Sequence, residues 1–391
     1  MKFLPLLLLV HAGEHDRIQT CITAEIPDSL AGVSGFTLQR LEDGKVLPVQ
    51  RIPATPPKIA FLLGKPLAKG KTRTFKLAEA KNKTGNHPAL VTLHEGNGKL
   101  SFQAGGRPVL TYNHETVLPP KGIGREFSRS GFIHPVHSPS GQILTDDFPR
   151  QHHHHQHGLF HAHTKILLDG KTLDVWNQKS RQAGVRHLGF NPGETYSGPV
   201  LGGFTTRFLV EDIRKPDKPH PLLHEQWRVQ VQPRQDVFLF DIEISQTSAM
   251  ERGIEIKKHH YGGMAIRGPE DWTAERPGVG ILTSEGRDRI AGNHSQPEWV
   301  DIHGPVDGQP GGIAVIAHPS SFRHPQHVRL HPKMPYFCFA PMVAGNYHIS
   351  HNKPQVSRYR YIAHTGKPDP TLNNRVKNDF YNPPRVTFKI P

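Results

Sequence analysis

The chain is cut into short alternating runs, and that limits what it can become. Residues 237–244, VFLFDIEI, put Phe238, Phe240, Ile242 and Ile244 on one face and Val237, Leu239, Asp241 and Glu243 on the other. Side chains two apart share a face of a strand, so this is a strand with one face in a core. Comparable β-branched or aromatic runs recur as FTLQRL, KIAFLL, TFKLAEA, ALVTLHE, TKILLDG, GIAVIAH and RYRYIAH. Turn signals such as EDGK, GNGK and LDGK separate them. No long stretch keeps a 3.6-residue apolar period between caps, so helix content is expected to be low. The fold class that follows is all-β, with sheets packed face to face.

The 391 residues divide, on this pattern, into four segments. Residues 1–13, MKFLPLLLLVHAG, read as a leader: Lys2 is the charged start, Phe3 to Val10 the apolar stretch, and Val10-His11-Ala12 a cleavage signal. The alternative for this run is an ordinary apolar strand. A leader implies export to the periplasm or beyond. Residues 14–85 read as a small β-sandwich unit, 86–365 as a large β-sandwich, and 366–391 as a polar tail with one possible strand, RVTFKI. No run reaches the roughly 20 apolar residues that a membrane-spanning helix needs.

The net charge of +14 suits anionic partners, and serves general solubility at least as well. The basic residues are scattered and not interleaved with aromatics, which argues against nucleic acid. Only two cysteines occur, Cys21 and Cys338, with no zinc motif; Cys338, inside YFCFAP, reads as a buried free thiol. Any metal must therefore use histidine and carboxylate. Gly-rich phosphate loops, a G-x-S-x-G elbow and H-E-x-x-H are absent, which excludes the commonest nucleotide, serine-esterase and zincin signatures.

Seven histidines fall within residues 152–163, HHHHQHGLFHAH. In a continuous strand, His157, His161 and His163 would share one face opposite Phe160, Ala162 and Ile166. Paired imidazoles at i and i+2 suit a divalent transition metal such as Zn, Cu or Fe. The candidate ligands are His153, His155, His157 and Asp147. A second constellation, KKHHYGGMAIRG, offers His260 and Tyr261 for acid–base work, Arg267 for an anion, and a Gly pair packed tightly against a neighbour. A third, GNHSQPEWVDIHG, offers Trp299 as a stacking platform for a sugar ring beside Asp301. His318, Arg323, His324, Arg358 and Arg360 read equally as further anion contacts or as solvated strand edges.

Six segments, RSGFIHPVHSPSGQILTDDFP, the histidine run ending in HG, HYGGMAIRG, WVDIHG, AHPSSFRHP and RYRY, resemble in that order a bacterial family labelled "methane oxygenase PmoA-like". The likeness runs over residues 107–362. It implies an exported protein of planctomycete type, encoded among carbohydrate-utilisation genes. The membrane methane monooxygenase subunit of that name is built of transmembrane helices, so the label implies little about methane chemistry in a β chain. The motif positions include Arg129, His134, Asp146, Asp147, His157, Gly158, His260 to Gly263, Arg267, Trp299, Asp301, His318 and Arg360. The large domain is also similar to the β-supersandwich of sugar mutarotases and polysaccharide lyases, a likeness of fold that does not by itself give function.

Three functions are therefore weighed. The first is a carbohydrate lyase or hydrolase acting on modified or acidic saccharides. His157 or His260 would be its base, Tyr261 its acid, and Arg129 or Arg267 its anion clamp; Trp299, Asp301, His318, Arg323 and Arg360 would bind substrate. The second is a copper- or iron-dependent oxygenase, as the family label implies. The third is a non-catalytic sugar-binding protein.

Overall fold

The computed structural model describes residues 5–80, 87–151, 153–234 and 236–390; Met1 to Leu4 of the expected leader and His152 of the histidine run lie outside them. Two eight-stranded antiparallel sheets face each other. Across the front sheet run Val328–Leu330, Tyr336–Phe339, Gly263–Arg267, Leu159–Ala162, Phe132–Val136, Arg107–Asn113, Lys99–Ala104 and Val91–Gly96. Across the back sheet run Ala183–Phe190, Gly202–Asp212, His220–Pro233, Val237–Ser248, Gln355–Thr365, Gln309–Ala317, Trp299–Val306 and Gly280–Thr283. The all-β sandwich expected from the alternating runs is what forms. Phe238, Phe240, Ile242 and Ile244 fill the core between the sheets, as the alternation requires.

The outer face of the front sheet has its own core. A four-stranded sheet, ordered Lys171–Leu173, Ile166–Leu168, Ile254–Ile256 and Tyr347–Ile349, packs there. Phe132, Phe160, Ala265 and Cys338 of the front sheet share this core with Ile166, Ile254 and Ile256. The outer face of the back sheet is covered differently. Helix Pro370–Tyr381 lays Leu372 and Val376 over Trp299, Ile316 and Ile362. The Asp369 side chain caps this helix by accepting from the Leu372 N–H at 3.0 Å, and Pro370 opens its first turn.

A smaller sandwich stands beside the large one. Its five-stranded sheet is ordered Arg385–Lys389, Leu6–His11, Thr72–Glu79, Phe36–Arg40 and Val46–Leu47. Its three-stranded sheet is ordered Cys21–Glu25, Lys58–Leu62 and Val49–Ile52. The leader reading is corrected here. Leu6–His11 is an interior strand paired on both sides, and Leu8, Val10 and Ala12 are wholly buried. An apolar leader and a buried strand have the same composition, and this run does the work of a strand. The expected boundaries 14–85 and 366–391 are corrected for the same reason. The small unit takes in Leu6–His11 and, from the far end of the chain, Arg385–Lys389; the supposed polar tail is a helix and a strand. Among the described residues no helix is long and apolar enough to cross a membrane. Both cysteines are free, and Cys338 is buried as its sequence context indicated.

Candidate functional site

The histidine run folds over the outer face of the front sheet, and Gly158 is its pivot. Gly158 N donates to Asp146 O at 2.7 Å, Gly158 O accepts from Arg267 N at 2.7 Å, and Asp146 N donates to Arg267 O at 3.1 Å. The glycine sits at φ +45°, and a Cβ there would stand 2.1 Å from the Ile133 carbonyl oxygen. Only glycine fits this conformation in this space. The turn also breaks the two-residue period, so the expected single histidine face is corrected. His157 packs outward against Phe132, Phe148 and Phe160, with ring centroids 5.1, 4.8 and 6.2 Å away. His161 turns the other way, into the space between the two large sheets.

His157 is fully buried and both its ring nitrogens are engaged. Nδ1 lies 2.6 Å from Asp147 Oδ1, and Nε2 lies 3.1 Å from Gln178 Oε1. The Gln178 amide nitrogen donates to Ser128 O at 3.1 Å, which fixes its oxygen toward the imidazole. With both nitrogens taken up by Asp147 and Gln178, the ring presents no unengaged edge to a substrate or a metal. The expectation of His157 as a base is therefore corrected: it anchors the loop.

His161 and His163 belong to an interior network that the sequence reading missed. Glu225 accepts from Trp227 Nε1 and Gln246 Nε2 at 2.6 Å each and meets His161 Nδ1 at 3.2 Å. Gln246 Oε1 meets His163 Nε2 at 3.1 Å, and the Tyr347 hydroxyl lies 3.3 Å from His163 Nδ1. Neighbouring histidines hold the Glu225 carboxyl below its usual value despite burial, and burial pushes His163 down to about 3. Arg129 closes this region, donating to His161 O at 2.8 Å with its guanidinium 5.3 Å over Phe160. All of these groups are shut away from solvent, and Arg129 ties the layers together through His161 O and Phe160, its Nε without a hydrogen-bond partner among the described residues.

A second group of polar side chains, mostly buried, gathers around Arg267. His153, His155, His331 and Tyr336 gather there, with the His153 ring 5.5 Å from His155, 5.8 Å from His331 and 6.0 Å from Tyr336. Trp176 links Tyr336 to Tyr261, at 6.5 and 5.3 Å. The Tyr261 hydroxyl accepts from Asn177 Nδ2 at 3.0 Å. Arg267 Nη1 donates to Gln156 Oε1 at 2.9 Å. Three buried donors, Arg267 Nε, Gln156 Nε2 and Arg329 Nε, find no hydrogen-bond acceptor among the described residues. Such donors are costly unless something accepts from them.

Protonation states follow from burial. Burial and then the adjoining histidines bring His155 down to about 3, and burial with Arg329 brings His331 down to about 4. Both rings are therefore neutral near pH 7. His331 Nδ1 accepts from the backbone N–H groups of Lys333 and Met334 at 3.1 and 2.8 Å, so its proton sits on Nε2. His155 Nε2 is buried with no hydrogen-bond partner among the described residues. Burial lifts the phenols of Tyr261 and Tyr336 above their usual range and keeps both protonated. Burial likewise pushes the Asp146 carboxyl up to about 6, against the pull of Arg267.

The remaining expected residues lie elsewhere. Trp299 is core under the helix, its indole N–H on Asn374 Oδ1 at 2.9 Å, so it is no sugar platform. Asp301 is wholly buried, 3.2 Å from both His303 Nδ1 and His364 Nε2, in the same layer. Arg323 holds a turn through the carbonyls of Pro341, Gly345 and Asn346 at 2.7–3.0 Å. His318 and Arg360 face a cleft on the back sheet, far in the fold from Arg267. His260 is exposed at the rim of the patch, its ring 4.7 Å from Tyr261. The Gly pair after Tyr261 is packed as expected: a Cβ on Gly263 would stand 2.3 Å from Phe339 O. The metal set is divided, since Asp147 and His157 bind each other while His153 meets His155, His331 and Tyr336. Among the described residues no three His, Cys, Asp or Glu side chains come together to hold a metal ion.

His331, Tyr336, Arg329 and Asn177 were not singled out in the sequence. Tyr336 and Arg329 reach the patch through strand pairing, Arg267 lying opposite Tyr336 and Arg329 opposite Cys338, while His331 and Asn177 come from loops. Residues 99–377 match the model of a family of unknown function, DUF6807. No curated protein matches the chain. The matched span contains the whole patch and both large sheets except the edge strand Val91–Gly96.

Proposed function

The chain belongs to the DUF6807 family, whose function is unknown, and we propose that the Arg267 patch carries out a β-elimination on a saccharide bearing a carboxylate. The observation that carries this reading is the set of buried donors without acceptors, Arg267 Nε, Arg329 Nε and Gln156 Nε2, beside two neutral imidazoles. A carboxylate accepts from such donors, and Arg is suited to bind it bidentately. The net charge of +14 adds long-range attraction for an anionic chain.

The same groups supply the reaction. An elimination needs the carboxylate held while a base removes the adjacent carbon-bound proton. Arg267, Arg329 and His331 Nε2–H hold the carboxylate and its developing enolate. His155, neutral with Nε2 unengaged, takes the proton. Tyr261, kept protonated, returns one to the leaving oxygen. The carbon–hydrogen and carbon–oxygen bonds break, a carbon–carbon double bond forms, and the products are an unsaturated sugar end and a free hydroxyl. Hydrolysis is less well served, because it calls for two opposed carboxyl groups. Asp146 and Asp147 are sequence neighbours, and Asp147 is tied to His157. The oxygenase reading lacks a ligand set among the described residues. Export rested on the apolar run that turns out to be a core strand, and it forms no part of the proposal.

The test is incubation with oligosaccharides of uronic acids, followed by ultraviolet absorbance of the conjugated product. Activity is expected with at least one uronide and with no neutral glycan. His155→Gln should lower kcat about 100-fold or more with an unchanged melting temperature. Saturating absence of unsaturated product across uronides, or full activity in His155→Gln, overturns the proposal.

A further inference from the structure

The opposite outer face of the sandwich carries a second constellation. Strand register on the back sheet aligns Arg228, Glu243 and Arg358 in one row and Gln230, Asp241 and Arg360 in the next. Arg358 Nε donates to Glu243 at 2.6 Å, and Arg360 makes two bonds of 2.7 Å to Asp241. The second row lines a cleft of about 410 Å³ whose other walls come from the small sandwich at Thr20 and from the helix at Phe380. Small-molecule sites fall in the range of roughly 300–1,000 Å³, so the cleft accommodates a monosaccharide.

Most charge in the cleft is internally matched. Asp379 is held by Arg17 and Thr20, each at 2.9 Å, and Asp241 by Arg360. Arg234 departs from this balance. It lines the cleft with only 7 % of its surface exposed, and its Nε and Nη2 make no hydrogen bond among the described residues. Asp236 Oδ1 stands 3.7 Å from Nε, beyond hydrogen-bonding range, and is itself half exposed. A buried guanidinium with unused donors calls for an anionic acceptor. The lining also offers amides at Gln230 and Gln232 and hydroxyls at Thr20 and Ser320, beside apolar Leu201, Leu239 and Val376 and the Phe380 ring, over which the Arg360 guanidinium sits at 4.4 Å. Burial pushes the Cys21 thiol, also in the wall, up to about 12, so it stays protonated and inert.

We propose that this interdomain cleft is a non-catalytic binding site for a monosaccharide-sized sugar acid, with Arg234 taking the carboxylate and the cross-strand ladder taking hydroxyls. It is separate from the Arg267 patch and rests on none of the chemistry assigned there. Because its walls belong to both sandwiches and the helix, an occupant bridges them.

The probe is D-glucuronate, with D-glucose and inorganic phosphate as comparisons. Calorimetric titration uses the full chain carrying Arg329→Met, so that the front-sheet patch does not contribute. Glucuronate is expected to bind at one site and to raise the melting temperature, with glucose about tenfold weaker or more. Arg234→Met should bring glucuronate to the level of glucose, and Arg234→Lys should restore part of the difference. If Arg234→Met does not fold, Ser320→Trp, which fills the mouth, should abolish binding instead. Equal binding of glucose and glucuronate, unchanged affinity in these variants, or phosphate binding as tight as glucuronate overturns the proposal. Failure of the lyase assay leaves this result untouched, so the two claims fail separately.

Discussion

Replacing Glu225 measures what the interior network contributes. Its carboxylate accepts from Trp227 Nε1, Gln246 Nε2 and His161 Nδ1 at 2.6, 2.6 and 3.2 Å. Glu225→Ala leaves all three donors buried without an acceptor. Each such donor costs about 1–3 kcal/mol, so the loss is about 3–9 kcal/mol before any cavity effect. A typical domain has only about 5–15 kcal/mol of net stability, so this variant should be near the limit of folding. Glu225→Gln keeps the volume but turns an N–H toward at least one of the donors, and about 1–3 kcal/mol is expected from one lost acceptor. Urea unfolding followed by far-ultraviolet circular dichroism reads both values. The ordering is as important as the size: alanine well below glutamine, and glutamine below the parent. A Glu225→Ala protein within about 1 kcal/mol of the parent would refute the reasoning.

Other consequences can be checked alongside. Gly158→Ala should lower stability by more than the roughly 1–2 kcal/mol of a left-handed residue, because its Cβ meets the Ile133 carbonyl; Gly170→Ala, also at positive φ but with open space around it, should cost only the backbone part. A smaller melting-temperature loss for Gly158→Ala than for Gly170→Ala contradicts this. Stability should also fall in mild acid, because His155 and His163 are held down to about 3, whereas an unfolded histidine titrates near ~6.5. The unfolded chain takes up these protons first, so the stabilisation is complete above ~pH 6.5 and is lost progressively toward ~pH 3, about 3–4 kcal/mol for the pair between pH 6.5 and 5. A urea midpoint that does not move between pH 7.5 and pH 5 argues against buried neutral histidines. Trp299→Ala should destabilise by about 3–5 kcal/mol while leaving KM for any saccharide unchanged; a selective rise in KM would restore the sugar-platform role.

The architecture was legible where local pattern and tertiary demand agree. The alternation at 237–244 named the inter-sheet face correctly; the other side is half buried, Val237 and Leu239 lying in the core under the helix and Asp241 in a polar cleft. It failed at 157–163 because one glycine in the left-handed region reverses which side a histidine faces. The leader was misread because eight largely apolar residues look alike whether a membrane or a neighbouring strand receives them. The helix at Pro370–Tyr381 had visible signals, an Asp cap, a proline at the first turn and Leu372, Val376 and Phe380 four apart, but they sat in polar surroundings that read as a tail. The patch was half legible. Arg267, Tyr261, His153 and His155 stood in recognisable segments, whereas His331, Tyr336 and Arg329 come from a strand pair and its connecting loop, whose sequence carries no mark of function. Trp299 and Asp301 show the reverse error: chemically suggestive residues whose partners, Asn374 and the histidines at 303 and 364, make them part of the packing.

If the donors around Arg267 receive a substrate carboxylate, esterifying that group removes what they bind. A uronic-acid oligosaccharide and its methyl ester differ only in the charge offered to Arg267 and Arg329. Equilibrium binding is measured for both, in the parent and in Arg329→Met, with the interdomain cleft disabled by Arg234→Met. The acid should bind the parent about tenfold more tightly than the ester, or better, and Arg329→Met should remove most of that preference. Equal affinity for acid and ester in the parent, or a preference that survives Arg329→Met intact, would contradict a carboxylate held by these donors.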